Sequence, residues 1–519
     1  MERLFKSTKR IIFHKQKDIL SSALILSAMI VISRIFGLVR YRTLATYFTK
    51  EELDLFFAAF RIPDFVFEIL ITGALSSAFI PIFIKYQKDR DSLHKNISSI
   101  INFITVSLFI FIVVMFLGAQ IIIPLLTPGF TQAQNEAVIQ MSRVLLISQL
   151  PLLVFGNILS GMAQAHKIFI VTAIAPVLYN VGIIAGTILL AQRFWIFAPI
   201  FGVIAGSGLF LLVQFPIFRV IKFQFHFFEF NKKVLNEFVT LFVPRALSVL
   251  ANQIDLTIDL TLSTLLGAGS YTIFFFSQHL QLFPVSFVGM AFGQASLPYL
   301  SDLYKERKLT EFKKIYVNSL LQLLYISVPL SLFFIFARTP IVRIVFGGRK
   351  FDWVGTNLTA VTVSIFALSI PMHTIFYFIT RAFYAMHDTK TPFLINSFSV
   401  LVNVVLSFWF ILFMKLPVWS LALSFSVAIS INILLLLIFF YKKIDGYNFY
   451  KLIKHSGKIY VTALLSTIAP YITLKLLDPL VINTTRTINV LILLVLVFGI
   501  YGLSYLIFSW LFTVEEIYV

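Results

Sequence analysis

Apolar stretches of 20 or more residues recur along the whole chain, separated by short polar segments. A helix needs about 20 mainly apolar residues to cross the hydrocarbon core of a bilayer. Charged residues make up only 13% of the chain, which is about half of their share in an average soluble domain. The sequence therefore predicts an all-α polytopic membrane protein.

Hydropathy windows of about 19 residues predict 14 transmembrane spans, numbered here in chain order as span 1 to span 14. We expect two six-span lobes around a central cavity, followed by two further spans. The predicted segments are a basic N-terminus at residues 1–18, lobes at 19–222 and 223–441, and a C-terminal segment at 442–519. The predicted spans are 20–47, 56–84, 98–126, 138–160, 168–191, 195–218, 236–265, 270–300, 315–337, 358–384, 391–414, 418–441, 458–476 and 488–512.

The distribution of basic residues predicts the orientation of these spans. If the N-terminus is cytoplasmic, the inside segments carry about three times as many lysines and arginines as the outside loops, as topology rules require. The C-terminus is then cytoplasmic too. This bias explains the net charge of +19 without nucleic acid. The N-terminus lacks a small-residue cleavage site, so no removable signal peptide is expected.

Several kinds of chemistry are excluded by the sequence itself. The chain has no cysteine, which rules out disulfides, thiolate metal sites and cysteine nucleophiles. It contains neither a P-loop nor an HExxH metal motif, so ATP-driven transport by this chain alone is not expected. No firm metal site and no cofactor are predicted.

Two pairs of segments indicate an internal repeat at a separation of about 220 residues. Residues 74–81 (ALSSAFIP) resemble residues 291–298 (AFGQASLP), and residues 167–180 resemble residues 390–403. The offset relates span 2 to span 8 and span 5 to span 11, so the two halves have the same orientation. Transporters built from such halves bind their substrate at the interface between them.

Polar side chains form stripes inside two of the spans. Residues three or four apart share one face of a helix, and charge facing lipid is costly. We therefore expect these stripes either to line a hydrated central cavity or to form buried ion pairs, for example Arg61 with Asp64. They comprise Arg61, Asp64 and Glu68 in span 2 and Asn252, Asp255 and Asp259 in span 7.

The stripes and span 1 indicate two kinds of ligand. Arg34 and Arg40 lie in span 1, which contains no acidic residue, and arginine forks match phosphate oxygens. An anionic substrate is therefore expected. The oxygen ligands of span 7, with Asn403 as a fourth candidate, suit a hard cation such as Na⁺. A plain hydrogen-bonded contact between helices is the alternative interpretation.

Several motifs together resemble one family. They are SRIFGLVR at 33–40, DLFFAAFRIP at 54–63, GALSSAFIP at 73–81, APVLYN at 175–180, PR at 244–245, NQ at 252–253, FP at 283–284, RAFYA at 381–385 and DTKTP at 388–392. This combination resembles the MurJ (MviN) family of bacterial lipid II flippases. Spans 13 and 14 fit the two extra C-terminal helices of that family.

The resemblance implies a fold of the multidrug/oligosaccharidyl-lipid/polysaccharide (MOP) exporter superfamily. It also implies translocation of undecaprenyl-pyrophosphate-linked peptidoglycan precursor by alternating access, coupled to membrane potential or to Na⁺ or H⁺. Arg34 and Arg40 match the two helix 1 arginines of the family, which would hold the pyrophosphate. Asp54 matches its acidic residue before helix 2. The groove beside spans 13 and 14 would take the lipid tail.

The sequence departs from the family pattern at four positions. Tyr41 replaces an acidic residue, Phe67 and His279 replace arginines, and Thr72 replaces a glutamate. Arg61, Arg42 and His279 in its protonated form are the candidates to compensate in the substrate site. These departures leave the exact headgroup open more than the fold.

Other functions remain as alternatives. They are a flippase for another polyprenyl-linked glycan, a cation-coupled exporter of the same superfamily, a membrane-embedded glycan polymerase and a scaffold. The longest outside loop contains a single acid, Asp352, which argues against a polymerase. Expected partners are membrane lipids, the lipid-linked pyrophosphate substrate and the cell-wall synthesis machinery, but not nucleic acid. The expected location is the bacterial cytoplasmic membrane.

Overall fold

The structure is a computed structural model that describes residues 19–72, 78–87, 89–166, 168–480 and 487–518. Every regular element in these ranges is helical, as predicted. The basic N-terminus at 1–18 and the first half of the repeat segment at 74–81 lie outside the described residues. The helices are α1 Ile19–Tyr47, α2 Lys50–Ala59, α3 Arg61–Phe67, α4 Ile80–Tyr86, α5 Arg90–Leu126, α6 Gln132–Ala165, α7 Ile170–Phe194, α8 Phe197–Gln214, α9 Ile217–Ile221, α10 Lys232–Leu265, α11 Ser270–Val285, α12 Ala291–Lys305, α13 Leu309–Phe336, α14 Arg338–Phe346, α15 Trp353–Ala367, α16 Ile370–Ala385, α17 Lys390–Phe408, α18 Trp419–Lys443, α19 Phe449–Ser466, α20 Ile468–Leu480 and α21 Thr487–Leu511.

Ten helical segments in the described ranges are long and apolar enough to cross a membrane. The pair α15 and α16, bent by 44° at its break, raises the number to 11 if it forms one span. The remaining predicted spans are 1, 2 and 7, which contain Arg34 and Arg40 and the two polar stripes. The total of 14 stays a prediction, whereas the polytopic helical class is confirmed.

Span 2 is broken into several helical pieces. At its start, Thr49 and Glu52 form a capping box, in which each side chain accepts a hydrogen bond from the other residue's backbone N–H. Phe60 then separates α2 from α3, just before Pro63, whose ring cannot donate a backbone hydrogen bond in a helix interior. A π-helical turn at Glu68–Thr72 follows α3. Such turns widen a helix and are frequent at functional sites.

The helices form two compact units, one containing α1–α10 with Gly348–Lys350 and the other containing α11–α21 apart from that short segment. The division lies after α10, whereas the predicted lobe boundary at 222/223 lies before it. The lobes were inferred from a sequence repeat rather than from packing, so the segment boundaries and the cavity between the lobes stay predictions.

Glycine allows α7 and α8 of the first unit to pack with their backbones almost in contact. A Cβ atom added to Gly182 would lie 2.3 Å from Cα of Gly206, and one added to Gly186 would lie 2.3 Å from Cα of Gly202. The glycines are four residues apart in each helix, which is the small-xxx-small pattern of close membrane helix pairs. A larger residue at Gly182 would therefore separate the two helices.

Aromatic side chains form the core of the second unit. Tyr316 of α13 stacks on Phe440 of α18 at a centroid distance of 4.2 Å and on Phe378 of α16 at 5.7 Å. All three side chains are fully buried. Lipid supplies little hydrophobic driving force for helix association, so the packing of these rings is what holds α13, α16 and α18 together.

The loop between α16 and α17 is fixed by a half-buried carboxylate, that of Asp388. Asp388 accepts hydrogen bonds from Nζ of Lys443 at 2.5 Å and from the backbone N–H of Thr391 at 3.0 Å. Partial burial acts to raise the pKa of Asp388, but the hydrogen bonds from Lys443 and Thr391 outweigh it and lower that pKa below its ordinary value. The ionised form is therefore favoured in the fold.

Candidate functional site: a charged cluster in the first unit

Arg61 is held by α10 through several hydrogen bonds. Its Nη2 donates to the backbone carbonyl of Gln253 at 2.9 Å and to the side-chain Oε1 of the same residue, and its Nε donates to Oγ1 of Thr257 at 3.0 Å. The side chain is only 9% exposed. Arg61 thus fixes the start of α3 against the middle of α10. Among the described residues, the hydrogen bonds of Arg61 do not include one to Asp64, its partner in the ion pair predicted from the sequence.

Two carboxylates, those of Asp64 and Asp259, interact electrostatically with this guanidinium, and each of them also interacts with a further acid. Asp64 interacts electrostatically with Arg61, Glu68 and Arg40, and Asp259 interacts with Asp255 and Arg61. Asp259 is buried, and the other three acids are half-buried. The two stripes predicted in spans 2 and 7 therefore meet. The charged cluster consists of Arg40, Arg61, Asp64, Glu68, Asp255 and Asp259.

The charged cluster contains more acids than bases. It has four carboxyl groups, those of Asp64, Glu68, Asp255 and Asp259, and two guanidinium groups, those of Arg40 and Arg61. Carboxylates that share a poorly solvated site disfavour one another's ionisation. A proton or a bound cation would relieve this repulsion, so the cluster is suited to exchange a positive charge.

The span 1 arginines differ in their surroundings. Arg34 is exposed, and Arg40 is half-buried. The guanidinium carbon of Arg40 lies 4.5 Å from the ring centroid of Tyr41, which is within cation–π range. Tyr41, which replaces an acidic residue of the family pattern, thus supports Arg40 without neutralising it, and Arg40 can still interact with an anion.

Asp54 is buried in α2, with 1% of its surface exposed. Glu52, which precedes Asp54 on α2, accepts at its Oε1 a hydrogen bond of 2.5 Å from Nε1 of Trp195. This contact ties the start of α2 to the turn between α7 and α8. Sequence spacing gave no sign of it, because the two residues are 143 positions apart.

The candidate cation ligands are only partly brought together. Asp255 and Asp259 lie one turn apart on α10, while the side chain of Asn252 lies outside the described residues. Asn403 is buried in α17 of the second unit. Among the described residues, no group of three or more His, Asp or Glu side chains has the geometry to hold a metal ion. The four-residue cation site stays a prediction.

His279 lies in α11 of the second unit. Its Nδ1 is 2.9 Å from the backbone carbonyl of Phe275, and the two rings overlap at a centroid distance of 4.0 Å. If Nδ1 donates to that carbonyl, Nε2 is the ring atom left to act as an acceptor in the neutral form and as a second donor when protonated. The role in substrate binding stays a prediction.

A buried polar contact in the second unit was not predicted from the sequence. Nε2 of Gln281 in α11 lies 3.1 Å from Oγ of Ser369 and 3.2 Å from Nδ1 of His373. The ring of His373 also stacks on Tyr377 at 5.4 Å. Gln281 and His373 are 92 residues apart, so no local pattern could have paired them.

An ion pair at one end of the first unit was also missed. Nζ of Lys85, in α4, lies 2.7 and 2.8 Å from the two carboxylate oxygens of Glu237, near the start of α10. Both side chains keep substantial exposure, so the pair contributes little to stability. It adds a second link between spans 2 and 7, at the end predicted to be cytoplasmic.

The membrane-crossing helices and the buried charged cluster together define an integral membrane transporter. A multidrug resistance MATE family transporter of the MOP superfamily in its inward-facing conformation matches the fold with a TM-score of 0.69, at 14% identity over 80% of this chain and 94% of that one. A structure titled lipid II flippase MurJ, inward closed conformation, matches with a TM-score of 0.79, at 26% identity over 95% of this chain and 100% of that one.

The sequence comparisons identify the particular family. The family model described as lipid II flippase MurJ matches residues 44–492. The probable lipid II flippase MurJ of Buchnera aphidicola is 27% identical over 426 residues, covering 81% of this chain and 83% of that protein. The chain belongs to the lipid II flippase MurJ family, as the resemblance indicated. The family match begins after Arg34 and Arg40, so their assigned roles stay predictions.

Proposed function

We propose that this chain translocates lipid II from the inner to the outer leaflet of the bacterial cytoplasmic membrane by alternating access, for cell-wall synthesis. The observation that carries the proposal is the family match over residues 44–492, together with the structural match to a lipid II flippase over 95% of the chain. The protein is a multi-pass membrane transporter rather than an enzyme. That role implies two kinds of partner, a lipid-linked substrate and the surrounding membrane lipids.

The pyrophosphate of the substrate is proposed to bind at Arg34 and Arg40. Arg34 is exposed, and Arg40 rests on the ring of Tyr41, so each can present its fork to phosphate oxygens. Arg61 is proposed to act next to them through the electrostatics of the charged cluster, since several of its donors are already engaged with α10. Asp54 and His279 remain candidates for contacts with the headgroup.

Coupling is proposed to use the acidic excess of the charged cluster. Binding of the anionic substrate near Arg40 would offset positive charge in the charged cluster and so favour the binding of a cation, H⁺ or Na⁺, in the same cluster. Release of the substrate would reverse the effect. A membrane potential would drive the same charge movement, at about 2.3 kcal/mol per elementary charge and 100 mV.

The orientation is proposed to be N-inside and C-inside, supported by the bias of lysine and arginine toward the inside segments. Contact with the cell-wall synthesis machinery is a further proposal that rests only on the role of the substrate. The headgroup is proposed to be that of lipid II rather than of another polyprenyl-linked glycan, since the family name specifies lipid II.

Rescue of cells depleted of their own lipid II flippase tests the proposal. The wild-type chain is expected to restore growth, and Arg34→Ala and Arg40→Ala are expected to reduce rescue strongly. Arg193→Ala, an exposed arginine beyond the charged cluster, serves as the matched control and should rescue normally. A wild-type chain that reaches the membrane and does not restore growth would count against lipid II as the substrate.

A further inference from the structure

A cavity of about 470 Å³ lies within the second unit, apart from the charged cluster. It is bounded by the end of α13, by α14, by the start of α15, by the first part of α20 and by the start of α21. Apolar side chains such as Leu493 complete the wall. The polar and aromatic lining consists of Arg338, Arg343, Lys475, Trp353 and Tyr471.

The charge in this cavity is entirely positive. Three cationic side chains line it, and none of its described lining residues is acidic. The carboxylate of Asp352, which follows the loop after α14, accepts a hydrogen bond of 2.9 Å from the backbone N–H of Gly355 and caps α15. Arg338 and Lys475 line the same partly enclosed space, and like charges in such a space repel each other. An anion bound among them would remove this repulsion.

The geometry of the cations suits a phosphate group. Nη1 of Arg338 donates to Oγ of Ser364 at 3.2 Å, which orients the guanidinium while other donors remain. Nζ of Lys475 lies 5.9 Å from the ring centroid of Tyr471, a distance at which the aromatic face attracts the ammonium group only weakly. Guanidinium groups bind phosphate oxygens in forked pairs, and an ammonium adds a mobile point charge.

The surroundings of the cavity favour a lipid over a soluble anion. Trp353 and Tyr471 are of the types that concentrate at the headgroup level of membranes. Beyond them, the neighbouring helices expose aliphatic side chains such as Leu476 and Ile492, each 54% exposed. Acyl or prenyl chains could lie against these side chains while the headgroup enters the cavity.

We propose that this cavity binds the phosphate of an anionic lipid headgroup. In the predicted orientation the loops at this end face outward, so the lipid belongs to the outer leaflet. The shared chemistry is a phosphate ester attached to a hydrocarbon chain, which both anionic phospholipids and polyprenyl pyrophosphates possess. The site is distinct from the charged cluster, since every residue that forms it belongs to the second unit.

Native mass spectrometry of the delipidated, detergent-purified chain tests this proposal. The protein is titrated separately with phosphatidylglycerol, phosphatidylcholine, a polyprenyl pyrophosphate and inorganic phosphate. The variants are Arg338→Gln, Lys475→Gln and the double substitution. Lys415→Gln is the matched control, because Lys415 is an exposed cation predicted on the same side and does not line the cavity. Thermal unfolding confirms that each variant is folded.

Phosphatidylglycerol is expected to bind more tightly than phosphatidylcholine, and each single substitution should weaken it about tenfold, as the loss of one charge-assisted contact implies. The control should bind as the wild type does. Equal competition by the polyprenyl pyrophosphate would show that the cavity recognises the shared phosphate. Binding of phosphatidylglycerol that survives the double substitution would overturn the proposal. Binding of inorganic phosphate without either lipid would overturn its lipid part.

Discussion

Replacement of Arg61 by alanine is expected to destabilise the protein substantially. The substitution removes the donors to the Gln253 carbonyl, to the Gln253 side chain and to Thr257. Hydrogen bonds between membrane helices average about 0.6 kcal/mol, which gives a lower value of roughly 2 kcal/mol for the three contacts. Breaking a buried charge arrangement costs about 3–5 kcal/mol, which sets the upper value.

Because of the acids in the charged cluster, we expect the loss of unfolding free energy to lie closer to the upper value. Without Arg61, Asp64 and Asp259 each lose a nearby positive charge. The backbone carbonyl of Gln253 does keep one partner, since Oγ1 of Thr257 donates to it at 2.7 Å. We therefore expect a loss of about 3–4 kcal/mol in the free energy of unfolding. Arg61→Lys should show a smaller loss, because it keeps the charge and gives up only the fork.

Unfolding in mixed micelles with increasing SDS, followed by circular dichroism, measures these losses. Arg143→Ala is the matched control, since Arg143 is also an arginine within a predicted span. Its Nε donates to a single backbone carbonyl, that of Phe116, at 3.1 Å, so its loss should be near 1 kcal/mol. If Arg61→Ala is no more destabilising than Arg143→Ala, then Arg61 does not hold α3 against α10 as described.

Three further predictions concern packing and surface charge. Gly182→Ala should lower the free energy of unfolding by about 1–3 kcal/mol through overpacking. Gly208→Ala is the control and should leave stability unchanged, because a Cβ at that position has nothing within 4 Å. Equal thermal stability of the two variants would refute the close contact between α7 and α8. The pKa of Asp388 is lowered in the fold. The stability that its ionised carboxylate contributes is therefore present above about pH 4 and is lost as pH falls through the pKa of the folded state. Asp388→Asn should flatten that part of the acid-unfolding curve, and an unchanged curve would contradict the stabilising role of Asp388. A double-mutant cycle on Lys85 and Glu237 should give about 0.2–1 kcal/mol of coupling, decreasing with added salt, and a zero value at low salt would rule out the pair.

The class of the protein could be predicted from its sequence because hydrophobic length is a local property. The bilayer imposes one period and one minimum length on every span, so the helical class follows from single windows. The spans that contain Arg40, Arg61 and Asp259 are not among the described helices that are long and apolar enough to cross a membrane. Their helices break or carry polar stripes because they contain the charged cluster.

The contacts within the charged cluster could be predicted only in part. The spacing of Arg61, Asp64 and Glu68 predicted a shared helix face, and Asp64 interacts electrostatically with both of the other residues. The partner of Arg61 could not be found, since Gln253 lies 192 residues away and no periodicity relates the two. For the same reason the hydrogen bond between Gln281 and His373 was missed. Such pairs depend on which helices pack together, and a single sequence does not encode that locally.

The outer-leaflet accessibility of lipid II is the measurement that tests the central claim most directly. Cells depleted of their own flippase and expressing this chain are treated with an enzyme that cleaves lipid II only from outside, and the cleaved fraction is measured. The wild-type chain is predicted to restore cleavage, and Arg40→Ala to reduce it about tenfold or more, as the loss of one charge-assisted phosphate contact implies. Lipid II that remains uncleaved with the wild-type chain present in the membrane would contradict the proposed function.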